Sequence, residues 1–221
     1  MTGAERRERL SRSRLYLVLE ARPHGADPDG LLDAALRGGV DIVQLRDKDL
    51  PEDELVAAAE PFRRACTVHG ALFVLNDRPD LVVACGADGV HVGQDDTPVE
   101  EARAAVGPER LVGLSAGSRA ELEAAAGARA DYLGADYLGV GAIFGTPTKP
   151  DAEAGGLELV RDAAELVRIP WFAIGGIERD TVADVAGAGA PGVAVVRAIR
   201  DAQDPETAAR SLRAALTRHA G

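Results

Sequence analysis

Eight short β-branched or aromatic apolar runs alternate with helix-patterned stretches along a chain of 221 residues. That order predicts one α/β domain, a single (β/α)8 barrel. Two further observations agree. The runs are apolar on both faces, as parallel strands covered by helices are. The length matches the roughly 200–250 residues that such a barrel uses as one unit. An open doubly wound sheet is the alternative, and with eight strands it would be large for this chain. No linker, low-complexity tract or composition shift divides the sequence, so residues 14–221 are assigned to the barrel. Residues 1–13, which carry Arg6, Arg7, Arg9 and Arg12, are assigned to a flexible basic tail.

In chain order the expected strands are LYLVL (15–19), DIVQL (41–45), LFVLN (72–76), GVHVG (89–93) and LVGLS (111–115). YLGVGAI (137–143), WFAIG (171–175) and GVAVV (192–196) complete the set. Helices are expected at 29–37, 52–68, 79–85, 98–105, 118–127, 156–167, 178–188 and 205–219. The helix at 52 opens with Pro51 followed by Glu52, Asp53 and Glu54, where the macrodipole favours acids. Ser118 and Glu121 have the spacing of a capping box. A tandem pentapeptide, Ala130–Gly134 then Ala135–Gly139, precedes the sixth strand. Either copy could form the strand, and the second runs directly into it.

Hydrophobic residues make up 46% of the chain, enough for one sizeable core, which excludes a disordered or fibrous protein. With 25 basic and 36 acidic residues the formal net charge is −11. Such a chain is repelled by phosphate backbones and anionic lipid, so neither nucleic acid nor a membrane is an expected partner. Cys66 and Cys85 lie in Ala- and Val-rich stretches and suggest neither a disulfide framework nor a metal site. The longest apolar run near the start, Leu15–Leu19, is far too short for a signal peptide or a membrane span. A soluble cytoplasmic protein is the expectation.

Barrels of this kind build their chemistry at the C-terminal ends of the strands, and the unusual polar residues fall there. Strand two ends in Gln44-Leu45-Arg46-Asp47-Lys48, and alternation sends Gln44, Arg46 and Lys48 to one side. Two cations beside an apolar strand are costly unless they meet an anion; the plainer alternative is a solvated charged turn. Strand three ends in Asn76-Asp77 and strand four in Gln94-Asp95-Asp96. Carboxylates atop adjacent strands, with diphosphate oxygens and water, suit Mg²⁺. The alternative here is helix capping, by Asp77 at Pro79 and by Asp95 or Asp96 at Pro98. No His/Cys cluster suggests zinc. His24, His69 and His219 read as surface or packing residues, whereas His91 falls at a position that can face the barrel interior.

Ser115 ends strand five and taken alone reads as a cap or turn residue. After strand six, Thr146-Pro147-Thr148-Lys149 gathers two hydroxyls and a lysine in one loop, which suits an oxyanion but lacks the Walker order. Gly175-Gly176 after strand seven and Val196-Arg197 after strand eight sit where this fold holds phosphate, although two glycines alone could be a tight turn. Two anion sites on one rim, a monophosphate and a diphosphate, suggest group transfer with diphosphate leaving. Composition and spacing go no further.

QLRDK (44–48), NDRPDLVVACGADGVHVGQDD (76–96), GLSAGS (113–118), YLGVGAIFGTPTK (137–149), AIGGI (173–177) and GVAVVRAI (192–199), in this order, closely resemble the thiamine phosphate synthase (thiamine-phosphate pyrophosphorylase) family. The resemblance spans about residues 14–200. It implies a Mg²⁺-assisted transferase that joins a hydroxymethylpyrimidine diphosphate to a thiazole phosphate, or its carboxylated form, by a dissociative reaction. By resemblance, the segment Gln44, Leu45, Arg46, Asp47 and Lys48, with Asn76, Ser115 and Lys149, contacts the pyrimidine diphosphate. Arg46, Lys48, Ser115 and Lys149 are the implied catalytic set, and Asp77 and Asp96 match the Mg²⁺ ligands. Thr146, Pro147, Thr148, Gly176, Val196 and Arg197 match positions that hold the thiazole phosphate. The chain departs from the family at Arg197, usually Ser, at Gly145, commonly Pro, and at Gly117, commonly His. The alternatives are an isomerase of the thiazole tautomerase branch, which needs no diphosphate or metal set, and a non-catalytic phosphate-ligand binding protein. A homo-oligomer is compatible with any of these.

Overall fold

The computed structural model describes residues 1–127, 134–145 and 154–217. Eight parallel strands close in sequence order into a barrel. They are β1 (Leu15–Leu19), β2 (Ile42–Leu45), β3 (Leu72–Asn76), β4 (Gly89–Val92), β5 (Leu111–Ala116), β6 (Tyr137–Val140), β7 (Trp171–Ile174) and β8 (Val193–Val195). The ring closes where Leu15 and Leu17 of β1 pair with Val193 and Val195 of β8. Around it lie α1 (Gly3–Arg12), α2 (Asp29–Arg37), α3 (Glu52–His69), α4 (Val99–Val106), α5 (Arg119–Gly127), α6 (Gly156–Leu166), α7 (Val182–Gly187), α8 (Arg197–Arg200) and α9 (Pro205–Thr217).

Strand alternation divides the apolar residues into two cores. Leu15, Leu17 and Leu19 point outward into the strand–helix layer with Leu32, Phe62 and Leu212. Tyr16, Val18, Ile42, Leu72, Tyr137 and Phe172 fill the barrel interior. At the N-terminal end of the barrel three acids bind neighbouring strands together. Asp41, Asp88 and Asp136, each just before an even-numbered strand, accept the backbone N–H of Leu15, Phe73 and Val112 on the preceding strand. Such features at this end of the barrel stabilise the fold.

Residues 1–13 are not a flexible tail. Thr2 and Glu5 form a reciprocal capping box that starts α1. Leu10 is buried among the interior residues. Two of the four arginines are engaged by the strand-end acids: Arg6 Nε lies 2.8 Å from Asp88 and Arg7 Nε 2.7 Å from Asp136, where Arg103 also binds. Leu10→Ala is expected to cost about 2 kcal/mol or more, as lost transfer energy plus a cavity. A denaturant titration tests this, since an unattached tail would leave the midpoint unmoved.

The helix expected at 79–85 is instead a 3-10 turn, Pro79–Leu81, followed by irregular turns. Its apolar residues, Leu81, Val82 and Cys85, are buried as a helical face would be. The segment stops at Gly86, which adopts φ +64°, before an α-helix can repay its nucleation. The helix expected at 178–188 starts only at Val182, because Thr181 Oγ1 accepts from Glu178 N and closes a turn first. The short helix α8 was not expected at all. Of the tandem pentapeptide, the second copy supplies β6, and residues 130–133 lie outside the described residues.

Candidate active site

The C-terminal mouth of the barrel opens into a cavity of about 540 Å³. Gln44 within β2 and Arg46 and Lys48 after it, Asn76 at the end of β3 and Asp77 after it, and Asp96 after β4 line it together with Ser115, Gly176, Val196 and Arg197. The alternation that brings Arg46 and Lys48 inward turns the side chains of Leu45 and Asp47 away from the cavity. Leu45 is fully buried in the outer strand–helix layer. Asp47 accepts the backbone N–H of Ala21 at 3.3 Å and is absent from the cavity wall. Thr146, Pro147, Thr148 and Lys149 lie outside the described residues.

The carboxylates are aimed at one point. Lys48 Nζ sits 2.7 Å from Asp77 Oδ2 and 3.6 Å from Asp96 Oδ1. Asp77 occupies the left-handed region at φ +59°, a conformation that Asp and Asn tolerate better than most residues. Asp96 Oδ2 accepts the N–H of Gly93 at 2.9 Å and folds its loop back over β4. Neither acid caps a helix, because the turn at Pro79 and α4 both start without a side-chain cap. Burial raises the Asp77 carboxyl above its ordinary range, against the Lys48 hydrogen bond. Burial also opposes ionisation of Asp96, but hydrogen bonds from Asp77, the Gly93 N–H and Lys48 hold it below that range. The hydrogen bond to Asp77 raises the Lys48 ammonium. A cationic side chain held between two carboxylates is direct evidence that this point accepts positive charge, and the donor set is the hard oxygen that Mg²⁺ prefers.

Arg46 has no ion-pair partner among the described residues and faces both this cavity and an adjoining one of about 360 Å³. On the opposite wall Gly175 (φ +103°) and Gly176 (φ +62°) turn the chain away from β7. A Cβ at Gly176 would come within 2.8 Å of the Gly145 carbonyl oxygen, so no larger residue fits the turn. The added cation at position 197 is partly balanced, with Arg197 Nη2 lying 3.5 Å from Glu178 Oε1.

Reasoning from motifs alone missed the cavity floor. Tyr16 and Tyr137 each meet Phe172 there edge to face, with centroids 5.4 and 5.9 Å apart, and are tilted to one another at 6.1 Å. His91 faces them from β4, and its alternating position was the available signal. Enclosure in the barrel pushes the imidazole down to about 4. A base held below its unfolded value contributes stability above that value and loses it on acidification. Stability should therefore fall as pH drops from about 6.5 towards 4. Denaturant titrations across that range check this, with His91→Gln expected to flatten the slope.

Cys66 and Cys85 are free and buried. Among the described residues no helix is long and apolar enough to cross a membrane.

A parallel barrel whose mouth carries two converging acids, a lysine between them, an arginine with no ion-pair partner among the described residues and a glycine turn defines an enzyme acting on phosphorylated small molecules. The family model described as thiamine monophosphate synthase matches residues 15–199, so the chain belongs to that family, a family of transferases. The thiamine-phosphate synthase of Thermobifida fusca is 49% identical over 211 residues, covering 95% of each chain. That of Saccharopolyspora erythraea is 48% identical, covering 95% of this chain and 96% of its own. The solved thiamine phosphate pyrophosphorylase of Pyrococcus furiosus superposes with a TM-score of 0.84 at 34% identity, covering 96% of this chain and 99% of its own.

Proposed function

We propose that the chain condenses a hydroxymethylpyrimidine diphosphate with a thiazole phosphate to give thiamine phosphate and diphosphate, assisted by Mg²⁺. The observation that carries this reading is the gathering of Arg46, Lys48, Asp77 and Asp96 on one side of a single cavity, across from Gly175 and Gly176. The thiazole tautomerase alternative has no use for that charged set.

Asp77 and Asp96 are the residues that would hold Mg²⁺, and the ion supplies positive charge to a diphosphate leaving group. Arg46 binds the diphosphate as a planar fork. Lys48 is drawn from the carboxylates to the same oxygens, and Lys149, by family resemblance, joins them. These cations stabilise the negative charge that develops as the methylene C–O bond ionises and its electron pair departs with diphosphate. The thiazole nitrogen then gives its lone pair to the methylene carbon and closes the C–N bond. The glycine turn at 175–176 and the Val196–Arg197 turn hold the thiazole phosphate so that its nitrogen faces that carbon. No side-chain nucleophile or base is needed.

Diphosphate release measured with both substrates, with either alone, and with or without Mg²⁺ tests the proposal. Release that requires both substrates and the metal is expected. A chain that interconverts thiazole phosphates without releasing diphosphate would be an isomerase.

A further inference from the structure

Three side chains that no step above uses, Tyr16, Tyr137 and His91, cross the cavity floor in a row between Gln44 and Ser115, which the family resemblance sets against the pyrimidine diphosphate. Gln44 Nε2 donates to the Tyr16 hydroxyl at 2.8 Å, and the Tyr16 and Tyr137 hydroxyls are 3.0 Å apart. His91 Nδ1 lies 3.2 Å from the Tyr137 hydroxyl, and His91 Nε2 lies 3.0 Å from Ser115 Oγ. The row draws on β2, β1, β6, β4 and β5 in turn. Space for it is cut into the barrel. A Cβ at Gly113 would overlap the rings of Tyr137 and His91, and one at Gly139 would come within 3.1 Å of His91 Cε1.

Proton counting gives the row a direction. The amide nitrogen of Gln44 only donates, so the Tyr16 oxygen accepts and its single proton goes to Tyr137. Tyr137 then has His91 Nδ1 as acceptor for its own proton. An imidazole that accepts at Nδ1 carries its hydrogen on Nε2 and donates it to Ser115. The serine hydroxyl proton is left without a partner in the row, and Ser115 lines the cavity.

We propose that this one-way chain fixes Ser115 as a hydrogen-bond donor to an acceptor atom of the bound substrate, with Tyr16, Tyr137 and His91 as positioning residues. The substrate's identity rests on the function proposed above, whereas the direction of the chain does not. Loss of the Tyr137 hydroxyl frees His91 Nδ1 to carry the hydrogen, and Ser115 then turns its proton towards Nε2 and away from the cavity.

Nitrogen-15 NMR of the full chain, which has four histidines, reads the tautomer directly. His91 should carry its hydrogen on Nε2 and shift towards the Nδ1–H form in Tyr137→Phe. Tyr137→Phe and Ser115→Ala should each lose roughly tenfold in kcat/KM, the size of one directed hydrogen bond. The double variant should lose no more than Ser115→Ala alone. An Nδ1–H tautomer in the unaltered protein overturns the proposal, because the chain would then run the other way. A further tenfold loss in the double variant also overturns it, because Tyr137 would act independently of Ser115. The tautomer is read without substrate, so it decides the direction even where no thiamine phosphate forms and the proposed reaction fails.

Discussion

Asp77→Asn is expected to lower the rate of thiamine phosphate formation on the order of 10²-fold or more, the scale of losing one preorganised electrostatic group in a closed site. Asparagine is the informative replacement. Asp77 sits at φ +59°, and Asn is among the few residues that occupy this region readily. The backbone is therefore kept while one of the two converging charges is removed. Lys48, 2.7 Å away, loses its nearer carboxylate and is left with Asp96 at 3.6 Å. The unfolding midpoint should stay near that of the unaltered protein, and the Mg²⁺ concentration for half-maximal rate should rise. Asp77→Ala should show the same kinetic defect and melt earlier, because alanine pays for the left-handed conformation. Should Asp77→Asn keep the full rate and an unchanged Mg²⁺ response, the assignment of this pair to the metal would have to be abandoned.

Arg46→Ala is expected to reduce kcat/KM for the pyrimidine diphosphate by about 10²-fold, again on the scale of one lost electrostatic stabiliser. Arg46 lines the cavity and has no ion-pair partner among the described residues. A cation left beside an apolar strand is costly, and a bound anion relieves that cost. Because the diphosphate gains charge as the C–O bond ionises, the loss should fall on kcat as well as on KM. Arg46→Lys should recover part of the activity, since charge returns but the two-pronged geometry does not. Product formation at saturating and at limiting substrate separates the two constants. A pure KM effect would mean that Arg46 binds ground and transition states equally.

The rim was the legible part of the site. Gln44, Arg46 and Lys48 could be placed inside together because strand periodicity is strict, and they all line the cavity. The same rule, applied to their neighbour Leu45, places its side chain in the outer layer. Other features depend on partners distant in sequence. The arginines of α1 read as a solvated tail until Asp88 and Asp136 are seen beside them, 82 and 129 residues away. Val82 and Cys85 carried a helical pattern, but Gly86 ended the segment as a turn.

The order of apolar runs and their two-faced character were enough to specify eight parallel strands, because each strand must bury both faces and each connection must cross back over the sheet. Strand-end position then told which polar residues would meet at the mouth. What only the folded barrel decided was pairing at atomic range: Lys48 between two acids, Arg197 beside Glu178, and the Gln44–Tyr16–Tyr137–His91–Ser115 row. Those contacts join residues from strands far apart along the chain, and closure of the ring sets their distances, which no local pattern encodes.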